Sequence, residues 1–184
     1  MSPRPSLPTL AALVAAFASV IGSLYLSLGL GLIACPLCFY QRSFAFAVLG
    51  VLILGVCTKA RETPYVNLMA LLPTLVGGFV AAFHTYLELS GQLVCPKGLF
   101  GIGSTAQQSL ASFAIILICL LPALGMDVAR RGISMASISW SVLLAGLFAY
   151  GCIVSSPAPS MPPVEKRPLM CHPPVSIEEV QSQK

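Results

Sequence analysis

Residues 9–58, TLAALVAAFASVIGSLYLSLGLGLIACPLCFYQRSFAFAVLGVLILGVCT, decide the fold, because in this whole stretch the only charged side chain is Arg42. So long an apolar run cannot be covered by a soluble core, and at ~1.5 Å per residue it is long enough to cross ~30 Å of hydrocarbon twice. The run is broken only by Cys35-Pro36-Leu37-Cys38, which reads as the turn between two spans. The same reading carries outward. Charged residues are also missing between Glu62 and Glu88, between Lys97 and Asp127, and between Arg131 and Glu165.

Inside a bilayer each backbone amide must be satisfied within its own segment or in a closed barrel, so helices are expected. The charge gaps place them at about 9–33, 38–58, 66–89, 108–126 and 135–154. The expected fold is an all-α integral membrane bundle in the lipid bilayer, over residues 1–154. Pro73 and Pro122 should kink or loosen the third and fourth spans. The remainder, 155–184, carries Pro157, Pro159, Pro162, Pro163, Pro168, Pro173 and Pro174 and reads as a tether. The basic residue before the first apolar run resembles the start of a secretory signal, but the run is too long and meets Cys35 directly, which favours an uncleaved helix.

The composition agrees, with 57% hydrophobic and 9% charged residues and a mean hydropathy of +0.89. The net charge of +4 makes no basic stripe, so no nucleic acid partner is expected. Arg4, Lys59, Arg61, Arg130 and Arg131 instead flank alternate spans, and the positive-inside rule puts those flanks in the cytoplasm. The N-terminus is then cytoplasmic. The turn at Cys35, the loop from Ser90 to Gln107 and the proline-rich tail lie on the other, periplasmic side.

That topology sorts the seven cysteines. Cys35, Cys38, Cys95 and Cys171 fall outside. Cys57 and Cys119 read as packing residues, since a buried thiol behaves as a small apolar group. A two-residue spacing brings Cys35 and Cys38 within bridging distance, as in redox pairs and in metal sites. Cys38 opens the second span, so first-turn amides and the helix dipole should favour its thiolate and make it the electron-donating sulfur. Arg42, one turn on, could stabilise that thiolate or an anionic acceptor, or simply anchor the span at the interface. His84 lies in the outer half of the third span, where an ionisable group needs a polar pocket. Glu88 reads as a water-facing span end. Cys95 can pair with Cys171 across the outer face, or with Cys152 at the end of the fifth span.

Cys35-Pro-Leu-Cys38-Phe-Tyr-Gln-Arg42 resembles the active motif of the disulfide bond formation protein B (DsbB) family, in which paired cysteines precede an aromatic and an arginine. The order of the first four spans is similar, as is the position of His84. The resemblance covers roughly residues 10–126 and implies a four-helix core, here with a fifth helix added. It further implies an oxidoreductase of the cell inner membrane that supports protein disulfide formation. In that family one cysteine pair passes electrons to a membrane quinone, ubiquinone or menaquinone, and a second pair reoxidises a soluble periplasmic DsbA-like protein of thioredoxin fold. On this resemblance Cys38 would meet the quinone, Arg42 and His84 would border its ring, and Cys35 would exchange with the outer pair. The departure is that the second outer loop carries Cys95 and no second cysteine.

Two other readings compete. A vitamin K epoxide reductase-like enzyme also joins paired cysteines to quinone chemistry, but its redox pair would be expected late in the bundle. A membrane metal-binding or metal-delivery protein could use Cys35, Cys38, Cys171 and His172.

Overall fold

The computed structural model describes residues 6–57, 65–156, 171, 172 and 174. Among the described residues five long helices follow one another: α1 (Leu7–Leu24), α2 (Pro36–Cys57), α3 (Val66–Leu89), α4 (Thr105–Arg131) and α5 (Met135–Ser155). Each is long and apolar enough to cross a membrane. The flanking residues Arg4, Lys59 and Arg61 and most of the tail lie outside the described residues.

Local chemistry sets the ends. Ser6 caps α1, its hydroxyl accepting from the Thr9 amide. The first helix stops being α-helical short of residue 33: over Tyr25–Gly29 it widens to a π-turn, with Leu30 N donating to Tyr25 O at 3.1 Å. At the other extreme α4 begins at Thr105, ahead of the apolar run, because Ser104 and Gln107 form a reciprocal capping box. It continues past residue 126 to Gly132, whose φ of 70° ends it. Helices α3 and α4 run through Pro73 and Pro122, and beside Pro73 the Thr74 hydroxyl donates to the Ala70 carbonyl at 2.7 Å.

Helices α1 to α4 form a ring in which α1 packs on α2 and α4, and α3 on α2 and α4; α5 packs outside, on α3. Small and branched residues fill the centre: Ala12, Ala16 and Val20 of α1 meet Val48 and Leu52 of α2, Ala70 and Ala81 of α3, and Ile116 and Leu120 of α4. Helix α5 turns Ala145 and Ala149 inward and exposes Trp140, Leu147, Phe148 and Val154, as lipid-facing residues would be. At the end where α1 starts, Thr9 donates to Asn67 Oδ1 (3.3 Å) and Asn67 Nδ2 to Asp127 Oδ2 (2.7 Å), tying α1, α3 and α4.

The opposite end holds the end of α1, the start of α2, the end of α3, the start of α4 and the end of α5. It gathers the cysteines.

Candidate functional site

Cys35 sits immediately before α2 and caps it. Its Sγ accepts from the Cys38 amide at 3.2 Å and its carbonyl from the Phe39 amide at 2.9 Å, while Pro36 occupies the first helical position, where no amide is required. The two sulfurs share a hydrogen bond at 2.6 Å. The free amide of the first turn therefore serves Cys35, not Cys38 as the spacing alone suggested, because a side chain one turn before an amide can face it and a side chain on that same residue cannot. Cys35 lies between the membrane-spanning segments. The hydrogen bond with Cys38 and, after it, the approach of His84 outweigh burial and hold its thiol well below the ordinary 9.0, at about 5.

His84, on α3, is fully buried. Gln41 of α2 holds its Nδ1 from 3.1 Å. The other ring nitrogen, Nε2, lies 3.6 Å from Cys95 Sγ and 4.0 Å from Cys35 Sγ. His84 thus stands between the two cysteine pairs.

Cys95 and Cys171 are joined by a disulfide. Next to it the tail forms a two-residue antiparallel bridge to the loop: Val94 N donates to His172 O (2.8 Å) and His172 N to Val94 O (3.2 Å). Cys171 is 1% exposed, whereas Cys95 is half-buried. The ligand atoms of Cys35, Cys38, His84 and Cys171 all lie within 4.8 Å of one another. The nitrogen in that cluster is His84's; His172, expected there on the metal reading, is held through its backbone. Cys171 is counted in the cluster although its sulfur is bonded to Cys95, so three of the four atoms are available to an ion while the disulfide is closed. Cys152 packs against the same apolar cluster without joining the sulfurs. Cys57 is exposed and Cys119 half-buried, away from the site.

Beneath the sulfurs, between α1, α2 and α4, lies a cavity of about 300 Å³. Ala15, Leu26, Phe113 and Ile116 give it apolar walls, and Cys38, Gln41 and Arg42 face it from α2. Cys35 and His84 are not among its lining residues. Arg42 is held by α1: Nε donates to Ser23 Oγ (2.9 Å), and Nη2 to Ser23 O (3.1 Å) and Ser27 Oγ (2.6 Å). Its acceptors lie at and just before the π-turn, where the change of helical register re-aims side chains.

Sequence reasoning missed Gln41, Ser23 and Ser27, which are neutral side chains without a spacing signature, although Gln41 falls one turn after Cys38 on the same face. It also left Glu88 to solvent, whereas Glu88 Oε2 accepts from Ser104 Oγ at 2.6 Å and joins the end of α3 to the start of α4.

Comparison with known proteins identifies a family. The family described as disulfide bond formation protein DsbB matches residues 5–153. Disulfide bond formation protein C of Bacillus subtilis (strain 168) is 35% identical over 127 residues, covering 59% of this chain and 87% of the relative. No solved structure matches.

Proposed function

This chain belongs to the DsbB family of disulfide bond formation proteins and is a multi-pass membrane disulfide-forming oxidoreductase, and on that premise we propose that it is a quinone-dependent thiol oxidase serving a soluble partner. The partner is a DsbA-like dithiol protein of thioredoxin fold. The observation that carries this reading is the unbroken run of sulfur from half-buried Cys95, through Cys171, to Cys35 and to Cys38 in the cavity wall.

On this reading each sulfur has a task. Cys95 is the more accessible of its pair, so the partner's thiolate attacks there and Cys171 leaves as a thiolate; the partner's second thiol then displaces Cys95, and the partner departs oxidised. Cys171 attacks Cys35 of the Cys35–Cys38 disulfide, forming a mixed disulfide and releasing Cys38 toward the cavity. Cys95 next attacks Cys171 and expels Cys35, which restores the outer disulfide. That last step is favoured because a thiol held near 5 is a good leaving group. Two electrons and two protons have then moved from the partner to the inner pair. His84 Nε2, between Cys35 and Cys95, is placed to hold a proton during these exchanges.

The cavity fits a quinone head: its walls are largely apolar, Arg42 offers a fixed donor for a carbonyl oxygen, and Cys38 reaches it. A quinone bound there, ubiquinone or menaquinone, supplies the capacity to take up two electrons and two protons. His84, between the sulfurs, acts on them and not on the ring. The positive-inside rule, applied to Arg4, Lys59, Arg61, Arg130 and Arg131, puts the sulfur-bearing end and the tail on the periplasmic side of the inner membrane.

The test is reconstitution in lipid nanodiscs with a reduced thioredoxin-fold dithiol protein and a short-chain ubiquinone, following quinone absorbance. The expected result is quinone-dependent oxidation of the protein that Cys38→Ala abolishes; oxidation persisting in that variant would overturn the assignment. The gathering of Cys35, Cys38, His84 and Cys171 also suits a thiophilic ion once Cys95–Cys171 is reduced. Stoichiometric zinc or copper retained by the reduced protein through dialysis would favour that reading.

A further inference from the structure

The short loop between α3 and α4 does more than carry Cys95. Leu99 leaves the loop and lines the cavity. It packs so closely on α1 that a Cβ at Gly22 would stand 2.9 Å from Leu99 Cδ1. One side chain of α4 secures it. Gln108 Oε1 accepts from the Leu99 amide at 2.8 Å, and Nε2 donates to the carbonyls of Leu99 (2.9 Å) and Ile102 (2.8 Å). That side chain lies against Gly98, where a Cβ would displace it. The loop is pinned again at its base, with Gly98 N donating to Gly103 O (2.9 Å) and Thr105 N to Pro96 O (3.1 Å).

We propose that Leu99, clamped by Gln108, is a fixed cap that closes the sulfur-bearing end of the cavity against water and leaves the cavity open to lipid between α1 and α4. The inference rests on the quinone reading for its purpose but not for its geometry. Two lining residues, Ala18 of α1 and Ile115 of α4, are exposed on the bundle's outer surface, which in a membrane is the lipid-facing side, so the cavity has a lateral opening. At the other end the three hydrogen bonds satisfy loop backbone groups that water would otherwise serve. The Cys38 sulfur and the Arg42 guanidinium are thereby kept in a less polar space, where the guanidinium's hold on a carbonyl oxygen is stronger than in water. Gln108 acts here as a positioning residue.

The cap can be opened without touching the sulfurs. In nanodiscs, in a Cys35→Ser background with Cys95–Cys171 closed, alkylation of Cys38 by a membrane-impermeant sulfonated maleimide is followed by peptide mass spectrometry. Leu99→Ala and Gly22→Ala, which remove or displace the cap side chain independently, are each expected to raise that rate at least ~10-fold, as for a local opening made permanent. Gln108→Ala should do the same, and Gln108→Glu, which keeps the acceptor and loses both donors, should fall between. With Cys35 restored, KM for a short-chain quinone rises while KM for the soluble dithiol protein stays unchanged. Unaltered Cys38 labelling in both Leu99→Ala and Gly22→Ala refutes the cap. Wild-type protein that oxidises dithiols without quinone would refute the quinone reading instead, and the labelling would still report on the cap.

Discussion

Replacing Cys38 by alanine removes the strongest influence that holds the Cys35 thiol at about 5 in place of 9.0. The difference, 9.0 minus about 5, is roughly 4 units, or ~5 kcal/mol between the two protonation states at ~1.36 kcal/mol per unit. Because the folded value is depressed, the stabilisation of the reduced inner pair is complete above pH ~9, fades as pH falls, and is gone below pH ~5. At pH 7 about half of that stabilisation remains, and it makes the inner pair more oxidising. In Cys38→Ala the opposing influence, burial, remains, with only His84 and the amide of residue 38 against it. The Cys35 midpoint should therefore rise clearly above about 5. The assay is the pH dependence of Cys35 carbamidomethylation by iodoacetamide in nanodiscs, quenched in acid and read by peptide mass spectrometry, with the midpoint and not the rate as the observable. A midpoint still near 5 in the variant would show that the sulfur hydrogen bond is not the cause. A wild-type midpoint of 8 or more would remove the thiolate altogether.

Three other perturbations follow from the same contacts. Arg42→Lys loses the three bonds to Ser23 and Ser27 and, at ~1.5–3 kcal/mol for a bond to a charged group, should raise KM for quinone at least ~10-fold; stoichiometric reduction of the Cys35–Cys38 disulfide by dithiothreitol should be unchanged. Cys171→Ala should lower turnover with the soluble dithiol protein by more than ~100-fold, because the exchange has no second outer sulfur. Quinone-dependent oxidation of dithiothreitol, which can reach the inner pair itself, should survive in that variant, and its loss would place Cys171 elsewhere in the scheme. Gly77→Ala drives a methyl into the ring of Phe113, an overpacking that should cost ~1–3 kcal/mol and lower the detergent unfolding midpoint.

The helices were legible because burial in lipid is written into composition: a span shows as a stretch without charge whatever its neighbours are. Their ends were less so. Ser104 and Gln107 are polar and fall outside any apolar window, yet their reciprocal bonds start α4 at Thr105; the capping pattern, and not hydropathy, carries that information. The π-turn at Tyr25–Gly29 has no composition signal, since Tyr25, Leu26 and Leu28 would serve equally in an α-turn. In the site, Cys35, Cys38 and Arg42 announce themselves by chemistry and spacing. The division of labour among them does not. Which sulfur receives the first-turn amide depends on where α2 begins, and it begins one residue after Cys35. Gln41 and Gln108 acquire their roles only when α3 and the loop are brought against them, a tertiary event that a neutral amide does not advertise.

The position of Cys171 is a matter of topology as well as chemistry. The loop holding Cys95 is pinned by Gln108, and it has no second cysteine, so a partner sulfur must arrive from another part of the chain. An odd number of crossings is what returns the tail to the face where α3 ends, and α5 supplies the fifth. The resulting bond spans a sequence separation of 76, for which the chain-entropy estimate is ~4.5 kcal/mol. That figure presumes a free unfolded chain, whereas α3 and α5 already pack together and a lipid-embedded chain keeps its spans when tertiary contacts loosen, so far less of it is realised as stability. On the proposed relay the disulfide opens in every turnover and so could not serve as a staple in any case. What must persist while it is open is the nearness of Cys171 to Cys95 and Cys35. The paired backbone bonds between Val94 and His172 meet that need, at ~0.5–1.5 kcal/mol each: enough to bring Cys171 back, and weak enough to yield if, as proposed, a partner protein occupies Cys95.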